Sequence, residues 1–178
     1  MNFARAKDEF PGRVNDIDDR VDDWWERLRG ITPVDRMYYT ASELGNFAMI
    51  WHMAGIVQAI IEDDPKLAVG ISAAVGIESA LVNGPVKSMF KRSRPVQDVP
   101  RPYKLRQPRT SSFPSGHASA AMVAAALLSR HTGGAAWYAV AAVVATSRIH
   151  VRIHHASDVA GGAVLGVALG VIARRVLA

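Results

Sequence analysis

The sequence predicts an all-α fold: a polytopic membrane helical bundle of about five transmembrane helices, preceded by an amphipathic helix. Three observations carry this. The 178 residues include 21 Lys and Arg and 16 Asp and Glu, yet five windows (44–61, 67–86, 118–129, 135–147 and 159–173) contain one of those charges between them, Glu78. Apolar residues ahead of these windows recur at helical spacing. No stretch alternates polar and apolar residues as a half-buried strand would. The mean hydropathy of +0.08 averages over this segregation and hides it.

A soluble amphipathic helix carries a charge on its wet face in roughly every turn. The five windows have no wet face, so they are either the inside of an Ala-rich soluble bundle or surrounded by lipid. A spanning helix needs about 20 apolar residues. The first two windows reach that range. The last three reach it if their polar ends also lie at membrane depth, facing a protein-lined pocket. Lipid is the reading that accounts for all five. The chain has no cysteine, which excludes a disulfide scaffold and any thiolate-based metal or nucleophile site. The apolar content of 49% excludes a disordered chain.

Residues 1–36 hold seven Lys/Arg and nine Asp/Glu. The first ten contain no apolar run of the signal-peptide kind. Val14, Ile17, Val21, Trp24 and Leu28 form one helical stripe, ended by Gly30 and Pro33. Such a helix either lies on the membrane with its tryptophans at headgroup level or packs on the protein's own surface or a second copy; its acidic excess argues against attraction to anionic lipid. Two units follow: residues 1–43 as an amphipathic or interfacial segment, and 44–178 as a membrane-embedded domain. Gly162, Gly166 and Gly170, four apart in the last helix, leave a smooth stripe for close helix contact.

The loop 87–116 has five prolines and eight Lys/Arg against one acid, Asp98. Its few aromatics and broken backbone do not make a nucleic-acid surface. Polar residues instead gather at the ends of the hydrophobic helices in three clusters: Lys87 with Arg94-Pro95, then Pro114-Ser115-Gly116-His117, then Ser147-Arg148 with His154 and Asp158. Together they describe a phosphate site. Lys87, Arg94 and Arg148 supply three cations, and the guanidinium forks suit pairs of phosphate oxygens. Ser115 and Gly116 at a helix start offer N–H groups to an anion. His154 and Asp158, four apart, share a face if they lie on one helix, so the carboxylate fixes the tautomer of a nucleophilic imidazole. His117 is a separate proton donor. His52 reads as a packing residue. No metal site is expected, because Arg148 and Arg152 sit among the clustered histidines His150, His154 and His155.

The order Lys87-x6-Arg94-Pro95, Pro114-Ser115-Gly116-His117, Ser147-Arg148-x5-His154-x3-Asp158 resembles the three-part signature of the type 2 phosphatidic acid phosphatase family. That superfamily also holds vanadium haloperoxidases and bacterial acid phosphatases. The resemblance runs from Lys87 to Asp158 without a departure from the signature. It implies a metal-free, cofactor-free phosphatase in which His154 attacks phosphorus, Asp158 orients it and His117 protonates the leaving group. Lys87, Arg94, Ser115, Gly116 and Arg148 would hold the phosphoryl oxygens. The implied substrate is a lipid or polyprenyl phosphate or diphosphate within a cell membrane. The alternatives are a non-catalytic lipid-phosphate binder of the same fold and a vanadate-dependent haloperoxidase. Many members are read as facing outward. Here, five spans put 17 Lys/Arg on the side of the site and four on the other, which by the positive-inside rule places the site at the cytoplasmic face of the plasma membrane.

Overall fold

The computed structural model describes residues 10–96, 102–108 and 110–177. The described part is all helical. Helix α1 (Gly12–Glu26) buries Asp18 and Trp25, with Val21 and Leu28 packed beside Trp25, and leaves Ile17 and Trp24 exposed. The stripe read from the sequence therefore straddles two faces. The inner one rests on the protein itself: Trp25 Nε1 donates to His150 Nδ1 at 3.1 Å, and Arg29 donates to the carbonyls of Ile149 and His150. Those carbonyls end a later helix, where a guanidinium is a natural cap, and that of Ile149 also accepts the Arg152 N–H at 3.0 Å.

Pro33 opens a second helix, α2 (Thr32–Leu44), rather than only closing the first. Sequence periodicity did not reveal α2, because its buried face is largely polar: Asp35, Tyr39, Ala41 and Ser42. The expected continuous span over 44–61 is broken. Asn46–Ala48 form a tight 3₁₀ turn in which Phe47 and Ala48 have φ of 54° and 57°, and α3 (Met49–Ile61) leaves at 71° to α2. The cause is local. A Cβ on Gly45 would lie 2.5 Å from His117 Cδ2, so the chain turns where an imidazole occupies the space a side chain would need.

Helix α4 (Pro65–Leu81) starts on Asp64, whose side chain accepts the Lys66 N–H at 3.0 Å. It continues through a π-type turn, Val82–Val86, where Gly84 and Pro85 interrupt the regular ladder. After the loop come α5 (Gly116–Leu128), α6 (Ala136–His150) and α7 (Ala156–Val176). Among the described residues, α4 with its π turn and α7 are long and apolar enough to cross a membrane, and the bent pair α2–α3 qualifies as a third span. Helices α5 and α6, at 13 and 15 residues, are short of that length. Length and composition thus account for two or three of the five expected crossings.

Helix α5 is the axis. Ten of its residues are buried, so it is apolar all round rather than amphipathic. Trp51, Ile71, Val75, Val123, Leu128 and Val144, from three surrounding helices and α5 itself, are among the residues that form the core. The glycine stripe seats α7 on α5: a Cβ on Gly162 or Gly166 would fall 2.3 Å from the carbonyl oxygen of Ser115 or Ser119. The end of α4, the start of α5, the end of α6 and the start of α7 meet at one end of the bundle.

Candidate active site

Each of the eight residues singled out in the sequence lies at that shared end. The turn after α6 joins two of them: the N–H groups of Ile153 and His154 both donate to the Arg148 carbonyl, at 3.0 and 3.1 Å. Ser115 N donates to the Asp158 carbonyl at 3.0 Å, which ties the start of α5 to the start of α7. Ser115 caps α5 through its side chain, which accepts the Ala118 N–H. Gly116 lies against Asn83 of the π turn, whose Oδ1 would be 2.8 Å from a Cβ there. Arg148 is fully buried and donates to Ser42 Oγ of α2.

His154 is the centre of the arrangement. Its Nε2 faces Arg94 Nη1 at 3.3 Å, and the same guanidinium donates to the carbonyls of Ile153, Thr110 and Ser111. On the other edge of the ring, Nδ1 is 3.6 Å from Asp158 Oδ2 and 3.4 Å from Ser112 Oγ. Ser112 donates to that same Asp158 oxygen at 2.5 Å, so its oxygen can accept only from Nδ1–H. The proton is thereby placed on Nδ1 and the lone pair on Nε2, toward the cation. Burial is the largest influence on the imidazole and lowers its pKa to about 3, with Arg94 and Arg148 adding to the effect and Asp158 opposing it. The ring is neutral at physiological pH.

One expectation is corrected here. His154 and Asp158 do not share a helix face, because His154 lies in the turn before α7 and His155 is the residue that caps it. Asp158 is the third residue of α7, and its Oδ2 accepts the His155 N–H at 2.8 Å. The carboxylate is drawn to the N–H groups that a helix start leaves without partners, and Ser112 bridges the remaining gap to His154.

His117 lies on the opposite wall. Its Nε2 is 3.1 Å from the Ser42 carbonyl, an acceptor only, so Nε2 carries the proton. Lys87 is buried just past the π turn, and desolvation, reinforced by Arg94 and Arg148, lowers its pKa to about 8. Ser112, Ser42, Asn83 and Gly45 escaped the sequence reading. Only Ser112, two residues ahead of Pro114, stood close enough to a recognised cluster to be found. An open groove of about 570 Å³ runs along α3, lined by Phe47, Met49, His52, Met53, Ile56 and Arg106 among others. Arg106 stacks over the Phe47 ring at 4.6 Å.

Comparison with known proteins shows the family and the fold. Residues 66–178 match the PAP2 superfamily. The decaprenylphosphoryl-5-phosphoribose phosphatase of Mycobacterium tuberculosis is 32% identical over 135 residues, covering 74% of this chain and 73% of that protein. Two crystal structures share the fold. One is a transmembrane PAP2-type phosphatidylglycerolphosphate phosphatase of Bacillus subtilis, with TM-score 0.72 and 21% identity over 93% of this chain and 87% of the other. The second is LpxE of Aquifex aeolicus, with TM-score 0.70 and 22% identity over 96% and 99%. An all-helical bundle with apolar spans, carrying the three-part signature at one end and matching the family over most of its length, identifies the chain as a member of the PAP2 superfamily, a family of phosphoric ester hydrolases.

Proposed function

We propose that the protein hydrolyses the terminal phosphate of a lipid or polyprenyl phosphate or diphosphate through a phosphohistidine on His154. The observation that carries this is the ring orientation: Nδ1 is held by Ser112 and Asp158, while Nε2 faces Arg94. Nε2 attacks phosphorus, the bond from phosphorus to the leaving oxygen breaks, and His117, carrying a proton on both ring nitrogens once the anionic substrate is bound, supplies that oxygen's proton from Nδ1 while Nε2–H stays on the Ser42 carbonyl. His117 then takes a proton from water, whose oxygen displaces His154 and releases phosphate. Lys87, Arg94 and Arg148, with the N–H groups at Ser115 and Gly116, hold the equatorial oxygens as charge builds on them. No step in this scheme calls for a metal or cofactor. The substrate class is supported by the groove along α3, whose exposed apolar side chains, Phe47, Met49, Met53 and Ile56, suit a hydrocarbon tail. The relative's decaprenyl substrate is of the same chemical kind.

The test is phosphate release in detergent from a panel of lipid and polyprenyl phosphates. His154→Ala is expected to abolish release, and chelators to leave it intact. Protein that binds these lipids without turning them over would establish a binding role instead.

Two further results are expected. A lysine is charged below its pKa, so kcat/KM, which reports the free enzyme, falls as pH rises through about 8 and Lys87 loses its proton. Lys87→Arg keeps the charge and moves that limb beyond about pH 10. With five crossings, the excess of Lys and Arg on the side of the site supports a cytoplasmic active site and a C-terminus across the membrane. A reporter active only in the cytoplasm, fused at the C-terminus, is expected to be silent.

A further inference from the structure

Arg92 belongs to no part of the signature, yet it is among the most buried polar residues of the protein. Its guanidinium bridges two carboxylates: Nη1 donates to Asp158 Oδ1 at 2.6 Å, and Nη2 to Asp18 Oδ2 of α1 at 2.6 Å. The side chains of Arg92 and Asp158 have no exposed surface, and Asp18 has almost none. Ser157 joins the same knot. Arg92 Nη1 lies 2.6 Å from Ser157 Oγ, which donates to Asp18 Oδ2 at 2.6 Å, and Ser157 N donates to Asp18 Oδ1 at 2.7 Å. Phe10 covers the guanidinium plane at 4.3 Å.

The consequence lies at Asp158. Its Oδ2, the oxygen facing His154, is held by Ser112 and the His155 N–H, while its other oxygen is held by Arg92. The terminal torsion of an aspartate is soft, so the carboxylate plane is fixed only while both oxygens are engaged. We propose that Arg92, anchored by Asp18, is a positioning residue that clamps Asp158 in the orientation from which it holds His154. This inference rests on the role proposed above for His154. It gives α1 a place in the reaction: a helix outside the family match, 66–178, supplies the far anchor of the chain Asp18–Arg92–Asp158–His154. A lysine at position 92 keeps the charge but offers one donor head in place of a fork that spans two carboxylates.

The experiment is steady-state phosphate release from a polyprenyl phosphate in detergent by the full chain, with variants compared in the wild-type and Asp158→Asn backgrounds. Arg92→Ala is expected to lower kcat about 100-fold with KM within about twofold, Arg92→Lys about tenfold, and Asp18→Asn by less. In the Asp158→Asn background none of the three lowers kcat further, because each acts through that carboxylate. If Arg92→Ala does not fold, Arg92→Lys carries the same comparison. Equal losses in both backgrounds, an unchanged kcat, or a rise confined to KM would overturn the proposal. His154→Ala separates the two claims. Activity surviving His154→Ala removes the phosphohistidine reading itself. Activity lost with His154 but indifferent to Arg92 leaves that reading standing and removes this one.

Discussion

His154→Ala is expected to lower the rate of phosphate release by about 10⁴-fold or more, the scale on which loss of a single nucleophile acts in hydrolases. That corresponds to about 5 kcal/mol of transition-state stabilisation. The ring cannot be substituted locally, because Nε2 is the nitrogen directed at Arg94 and its direction depends on the Ser112–Asp158 pair behind it. Binding should survive: Lys87, Arg94 and Arg148 remain, so the variant is expected to retain affinity for a lipid phosphate while losing turnover. The chemical readout is a phosphoryl group on the chain, labile in acid and stable in alkali, trapped in the wild type and absent in the variant. An undiminished rate, or a trapped group on another residue, would contradict the mechanism.

The second large effect is expected at a residue with no side chain. Gly162→Ala places a methyl 2.3 Å from the Ser115 carbonyl oxygen, and that neighbour is backbone, unable to swing aside like the end of a side chain. The seam between α5 and α7 must open. Overpacking of this kind costs about 2 kcal/mol, read as a fall of about 5 °C in the unfolding midpoint. The kinetic loss is expected to be greater than stability alone would cause. Ser115 both caps α5 and bonds to Asp158, so a displaced seam moves the anion cradle relative to His154. A misplacement of about 1 Å is worth about 100-fold in kcat/KM. Gly76→Ala is the control: a Cβ there meets nothing within 4 Å, so kcat/KM should hold and the midpoint should stay or rise, as alanine favours a helix over glycine.

What the sequence disclosed and what it withheld follow from where the information lies. Charge-free windows and a four-residue glycine period are local, so the apolar helices and the α5–α7 seam were legible. The eight residues that converge were legible because the three clusters stand at the ends of those windows. The break after Leu44 was not. It depends on Gly45 meeting His117, 72 positions later, and the window 44–61 looks the same whether straight or bent. Helix α2 was hidden because a face carrying Asp35 and Ser42 imitates a wet one, although those groups bond His150 and Arg148 inside the protein. Arg92 was lost among the cations of a basic loop. A buried ion pair with Asp18, 74 positions away, has no local spelling.

The isolation of α5 bears on how the protein meets its solvent. At 13 residues and 1.5 Å of rise each, this helix is about 20 Å long, well under the roughly 30 Å of a hydrocarbon core. Its neighbours, not acyl chains, surround it. A thicker or thinner bilayer is therefore felt by α4 and α7, which adjust by tilting. Because α7 is keyed into α5 without room for a methyl group, that tilt carries both helices together as one stiff body. Hydrophobic mismatch then moves the parts of the phosphoryl pocket carried by these two helices, Gly116, His117 and Asp158, as one unit.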